Sequence, residues 1–212
     1  MLNLIKFELK LYNKIHQIFR SSIYIMLLTI LLFSIILPES YMDVHKKMSI
    51  CYAGLIFNLM LVPHYLIKID MRDGFLETLL TMQPSGKVIL AKYFALSINL
   101  LLSNICVLPI VILVFNLPFF ELAYLYTLMS LTIFQIAILL VFINILHAYF
   151  KKNTNLLISL TLPLIIPTII ISSLAIESFK IDFLMIILGI DLILIPLIFC
   201  MANYLLKNLF NF

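Results

Sequence analysis

Residues 66–92 read LIKIDMRDGFLETLLTMQPSGKVILAK, and the reading of this connection decides how the rest of the chain folds. Lys68, Asp70, Arg72, Asp73, Glu77, Lys87 and Lys92 crowd into it, although the 212-residue chain is 64% hydrophobic and only 11% charged. Soluble domains carry about 25% charged residues. So apolar a chain has lipid as its solvent, and the connection joins two membrane spans. A helix needs about 20 apolar residues to cross a bilayer, and the sequence predicts six such helices, at about 20–37, 49–67, 93–115, 121–146, 156–176 and 183–206. The apolar runs are continuous rather than alternating, which argues against a β-barrel. The expected fold is an all-α membrane protein with a single transmembrane domain over 1–212.

Basic residues set the orientation. With both termini on one side, that side holds Lys6, Lys10, Lys14, Arg20, Lys68, Arg72, Lys87, Lys92, Lys151, Lys152 and Lys207, against Lys46, Lys47 and Lys180 on the other. Positive residues stay cytoplasmic, so both termini, the 66–92 connection and the HAYFKKNTN turn are predicted inside. The first apolar run, Ile23 to Leu37, ends in PESYMD with no small-residue cleavage site, so the start of the chain is expected to remain attached. Residues 1–20, MLNLIKFELKLYNKIHQIFR, form a separate element. At 100° per residue Asn3, Lys6, Lys10, Asn13, Lys14 and Gln17 share one sector, with Leu2, Ile5, Leu9, Tyr12 and Phe19 outside it. This pattern predicts a helix lying in the membrane interface; Glu8 falls on its apolar side and interrupts the pattern. An anchor is one reading, and an elbow that turns with the first span is the other.

Several chemistries are missing. The one Gly-Lys pair is Gly86-Lys87, and a phosphate-binding loop would need glycine at 81 and Ser or Thr at 88, where Thr81 and Val88 stand. The chain is therefore expected not to hydrolyse ATP and not to be an enzyme on its own. Cys51, Cys106 and Cys200 are odd in number and far apart, which disfavours disulfides and zinc. His16, His45, His64 and His147 are scattered, with no metal or covalent haem motif. His45 reads as a solvated residue of an external loop, with haem ligation as the alternative.

Polar residues within the predicted spans need partners, because lipid supplies none. Asn99, Ser103, Asn104, Gln135, Asn144, Ser172 and Ser173 fit either bundle adhesion or the lining of a path. Asp191 lies roughly 13 Å into the last span and has to face protein or water, or be protonated. Pro109 in the third span and Pro163 and Pro167 in the fifth are expected to bend or break their helices.

If the connection is helical over 70–80, Asp70, Asp73 and Glu77 fall on one face, at i, i+3 and i+7. Such a cluster of carboxylates gains from an external partner bearing Lys, Arg or other donors. Gly74 permits close approach of another backbone, and Pro84 with Gly86 ends the segment. Residues 68–88 thus read as a cytoplasmic coupling segment, with a solvated, topology-fixing loop as the plainer alternative.

The pattern Asp73-Gly74-x-Leu76-Glu77-x-Leu79, followed by Leu90-Ala91-Lys92, resembles the cytoplasmic segment of the haem exporter protein B (CcmB) family. The stretch SLTLPLIIPTIIISS, with Pro163 and Pro167, is similar to that family's fifth span, and chain length and the FELKLYNK segment also fit. The resemblance implies an ABC-2-like permease of about six helices, working with a separate CcmA-like ATPase. It also implies CcmC-like and CcmD-like subunits and a CcmE-like haem chaperone, in two copies or in a heteromeric complex, with no nucleic acid. ATP hydrolysis would drive release of haem-loaded chaperone for cytochrome c maturation, with haem the ligand transported or handled and no resident cofactor. Asp70, Asp73, Gly74, Leu76 and Glu77 would then couple to the ATPase. The implied location is a bacterial inner membrane, with the mitochondrial inner membrane as the alternative. A permease for another lipid or drug, and a scaffold that moves nothing, are competing readings.

Overall fold

The computed structural model describes residues 1–14, 18–36, 43–61, 75–150 and 154–210. Every element among them is an α-helix: α1 (Leu2–Lys14), α2 (Ile18–Ile36), α3 (Val44–Leu61), α4 (Phe75–Met82), α5 (Ser85–Phe115), α6 (Phe119–Phe150), α7 (Thr154–Ser178) and α8 (Ile181–Phe210). In lipid each backbone N–H and C=O must be satisfied within its own segment, and a helix does this without outside partners. The expected all-α membrane fold is what the chain adopts. Among the described residues four helices carry stretches long and apolar enough to cross a membrane: Ile18–Ile36, Ser85–Phe115, Phe119–Leu146 and Ile181–Asn208. The second and fifth predicted spans fall on α3 and α7. α3 opens on His45, Lys46 and Lys47, and the described apolar part of α7, Ile165–Ser178, is shorter than a crossing. α5 begins eight residues before the predicted third span, at Ser85, because Pro84 supplies an extended N-cap (φ −61°, ψ 139°) and the charges that follow are tolerated.

α6 is the central helix, with α3, α5, α7 and α8 around it. α2 packs between α3 and α5, and α1 lies across α5 and α2. α2 and α3 come close at Gly54, where an added Cβ would stand 2.7 Å from Thr29 Oγ1. Small residues permit this kind of approach between membrane helices, where packing rather than hydrophobicity drives association.

The end of the bundle away from α4 is fastened by side chains on carbonyls that helix termini leave unpaired. α5 stops at Asn116, left-handed at φ 46°, ψ 49°, whose N–H returns to Ile112 O (2.9 Å). α7 stops at Phe179, also left-handed (φ 52°), whose N–H reaches Ala175 O (3.0 Å). The first turn of α3 holds both stops. Lys47 Nζ donates to Phe115 O (2.9 Å), putting a cation at the negative end of α5, and His45 Nδ1 bonds Ile176 O (2.9 Å). His45 therefore belongs to the start of a helix, not to a loop. Tyr124 Oη of α6 lies within reach of Ala175 O (3.1 Å) and Lys180 O (2.9 Å).

Candidate functional site: the coupling helix and the polar seam

Of the expected coupling residues, Asp70, Asp73 and Gly74 lie outside the described residues. Leu76 and Glu77 fall on the backbone of α4, with their side chains also outside the description. What is defined is the way α4 meets the bundle. Its last turn closes with Gln83 N–H on Leu79 O (2.8 Å), and Pro84 then turns the chain straight into α5, where Lys87 N–H bonds Pro84 O (2.9 Å). Proline has no N–H to extend α4 and its fixed φ suits a helix start. The foot of α5 is pinned to α8: Ser85 Oγ donates to Asn203 Oδ1 (2.5 Å), and an added Cβ on Gly86 would meet the Phe199 ring at 3.3 Å. α4 is thus joined through Pro84 to the junction of α5 and α8.

About two turns further on, the sequence reading missed a contact. Lys92 Nζ lies 3.2 Å from Glu8 Oε1 and 3.3 Å from Glu8 Oε2, and both side chains are buried, at 3% and 0% exposure. Glu8 is the residue that spoils the amphipathic pattern of α1. It does so because that face of α1, with Tyr12, packs on α5 rather than on lipid. The signal was available: two opposite charges, each on the apolar side of its helix, call for one another, since neither survives burial alone.

Lys92, Asn99 and Ser103 are spaced at seven and four residues, so they share one face of α5. Along this face runs a buried polar seam. Asn58 Nδ2 of α3 donates to Ser22 Oγ of α2 (2.5 Å), Ser22 and Ser103 share a bond of 2.6 Å, and Ser103 Oγ donates to Leu100 O (2.8 Å). A hydroxyl has one proton, so the bonds run in one sense, from Asn58 through Ser22 to Ser103. The three helices α2, α3 and α5 are thereby joined in the apolar interior. Asn99, between the ion pair and this chain, is fully buried with neither amide atom hydrogen-bonded among the described residues. A second polar meeting point places the Tyr52 hydroxyl of α3 beside Thr132 of α6 and Ser172 of α7. Ser173, by contrast, is exposed and donates within its own helix, to Ile170 O (2.8 Å).

The three predicted prolines lie inside helices that continue on both sides of them, Pro109 in α5 and Pro163 and Pro167 in α7, and α8 contains a fourth, Pro196. Each removes the N–H that would pair with the carbonyl four residues earlier. Asp191 is buried in α8, 6% exposed, within electrostatic reach of Tyr93 on α5, and neither carboxyl oxygen has a hydrogen-bond partner among the described residues. A cleft of about 260 Å³ between α6 and α8 is lined by Leu131, Phe134, Leu188, Leu192 and the apolar part of Asp191, with the carboxyl oxygens turned away from it. Cys51 is buried, while Cys106 and Cys200 are exposed on their helices; all three are free thiols. Among the described residues no three His, Cys, Asp or Glu side chains group as a metal site.

Comparison with known proteins shows the family to which this bundle, with α4 and the ion-paired α1, belongs. Residues 1–205 match the family described as CcmB protein. The chain belongs to the CcmB family. Two relatives support the assignment over nearly the whole length. An uncharacterized protein of Rickettsia conorii is 32% identical, covering 98% of this chain and 96% of its own. An uncharacterized protein of Rickettsia prowazekii is 32% identical with the same coverages. CcmB proteins are the haem exporter permease component of cytochrome c maturation, members of an ABC transporter complex with other Ccm subunits, and are transporter subunits rather than enzymes. The resemblance read from Asp73 to Lys92 and from the double-proline span is thus shown by the family match.

Proposed function

We propose that this chain is the membrane subunit through which a separate, CcmA-like ATPase drives cytochrome c maturation, and that α4 is where the two proteins meet. The observation that carries this is the short helix α4, set in the charged connection of a CcmB chain and joined through Pro84 to the pinned foot of α5. The basic residues argue for an inside location of α4 and of both termini, with α3 entering from outside. On closure of the ATPase dimer around ATP, α4 is pushed and α5 moves with it. The Ser85–Asn203 and Lys92–Glu8 contacts carry the displacement to α8 and α1. This is a two-state change biased by nucleotide. Asp70, Asp73 and Glu77 supply the carboxylates, and Gly74 and Leu76 the close fit, of the surface that docks on the motor. The whole chain acts as one transmembrane domain, beside CcmC-like and CcmD-like subunits, and the cycle ends in release of a haem-loaded, CcmE-like chaperone.

The test is haem staining of c-type cytochromes in a bacterial strain lacking its own B subunit, supplied with this chain and a matched ATPase. Restored bands that vanish with Glu77→Lys, at unchanged membrane insertion, support the proposal. Restoration that survives Glu77→Lys favours a scaffold that moves nothing. Failure to restore, with the ATPase still co-purifying, favours a permease for a different substrate.

A further inference from the structure

At the end of the bundle away from α4, His45 is held in a way its fastening role does not require. Its Nδ1 bonds Ile176 O at 2.9 Å. A carbonyl oxygen only accepts, so Nδ1 carries the proton and Nε2 is left with the lone pair. This is the arrangement that fixes the tautomer and direction of a metal-ligating imidazole. The ring rests on Phe179, with centroids 4.7 Å apart, and Phe179 on Tyr124, 5.6 Å apart. Phe179 adopts the left-handed backbone at φ 52°, which a bulky residue rarely adopts; the two ring contacts offset that cost and hold the shelf in place. His45 is exposed, and so are Phe119, Phe120 and Ile181, which open the neighbouring helices α6 and α8 at the same end.

We propose that His45 Nε2 is an axial ligand for haem iron, presented at the outer end of the bundle beside an aromatic shelf. The choice of ligand follows from what else is there. A bare metal ion needs several protein donors, and among the described residues no three metal-ligating side chains gather anywhere. One imidazole with a free lone pair can hold only a metal that arrives already chelated, with an open axial position. A flat, largely apolar metallated macrocycle satisfies this and also gains from the Phe179 ring against His45 and from the exposed apolar side chains at the same end of the bundle. The charges around it are mixed: Lys46 and Lys180 stand with Asp43, Glu177 and Asp182, all exposed. The axial bond and the apolar contact, rather than charge, therefore carry recognition. Haem, among such macrocycles, rests on the haem-export reading above.

The test uses the full-length chain purified in detergent and titrated with ferric haem, followed by the Soret band. Wild-type protein should give a shifted, histidine-ligated Soret band, and His45→Ala should lose it, with affinity at least tenfold weaker. His45→Asn keeps an amide donor for Ile176 O, so it retains the fastening while removing Nε2; it too should lose the band. Added imidazole should restore the band in His45→Gly. Iron-free protoporphyrin should bind all forms equally. The same Soret position and affinity in wild type and His45→Asn would mean haem dissolved in the micelle only and would overturn the site. Cytochrome c maturation by the same variants separates the two readings. A chain that matures cytochromes but shows no His45-dependent band keeps the permease and loses the site; a His45-dependent band without maturation does the reverse.

Discussion

Replacing Glu8 by glutamine should detach α1 from the bundle. The carboxylate is fully buried, Lys92 is 3% exposed, and Nζ sits 3.2 and 3.3 Å from the two oxygens. Breaking a buried ion pair by removing one partner costs about 3–5 kcal/mol. At about 1.4 kcal/mol per tenfold, the population in which α1 lies off α5 rises by roughly two to four orders of magnitude. Lys92→Gln should do the same. A Glu8→Leu, Lys92→Leu double variant should come within about 1 kcal/mol of wild type or exceed it, because well-packed apolar pairs match or outdo buried ion pairs. Two readouts separate loss of α1 from loss of the fold. Trypsin cleavage after the exposed Lys6 and Lys10 reports detachment of α1. SDS titration of helicity in mixed micelles reports the bundle. Single variants that cleave no faster than wild type, with a double-mutant coupling near zero, would refute the idea that this pair seats α1 on α5.

Other expectations follow from the same interior. Ser22→Ala and Ser103→Ala should each cost about 0.6 kcal/mol and at most about 1.7, the range of hydrogen bonds between membrane helices, and their effects should be non-additive in SDS titrations because they share one bond. Asp191→Leu should stabilise by about 1–3 kcal/mol, since the carboxyl is buried without a hydrogen-bond partner among the described residues; a loss of stability in the same titration would reveal a partner. Gly54→Leu should force α2 from α3, because even a Cβ there would come within 2.7 Å of Thr29 Oγ1. Disulfide trapping of cysteine pairs across α2 and α3 should weaken accordingly.

The membrane class and the all-helical fold were legible because lipid allows so few solutions. Twenty apolar residues have one way to satisfy their backbone. The foot of α5 was misplaced because hydropathy counts Lys87 and Lys92 as interfacial, while packing gives Lys92 a partner 84 residues earlier in the chain. Seam positions were partly visible. Asn99 and Ser103 stand out as polar residues in an apolar run, whereas Ser22 and Asn58 became informative only once three helices brought them together. The cap that His45 and Lys47 place on α7 and α5 was hidden for a related reason. Helix ends leave carbonyls unpaired wherever they fall, and which side chain reaches them depends on tertiary packing, not on local pattern. Asp70 and Asp73, proposed to dock on the ATPase, lie outside the described residues.

The fastening of α3, α5 and α7 at one end has a mechanical consequence. With Phe115 O and Ile176 O both held by the first turn of α3, these helices cannot slide past one another there, and the freedom that remains is to swing about that end. α5 has 31 residues and is about 46 Å long at 1.5 Å per residue. A swing of about 6° about its clasped tip carries its foot sideways by about 5 Å, half of the 8–10 Å that separates packed helix axes. A small displacement of the feet then parts them while the tips stay shut, as in a pair of tongs.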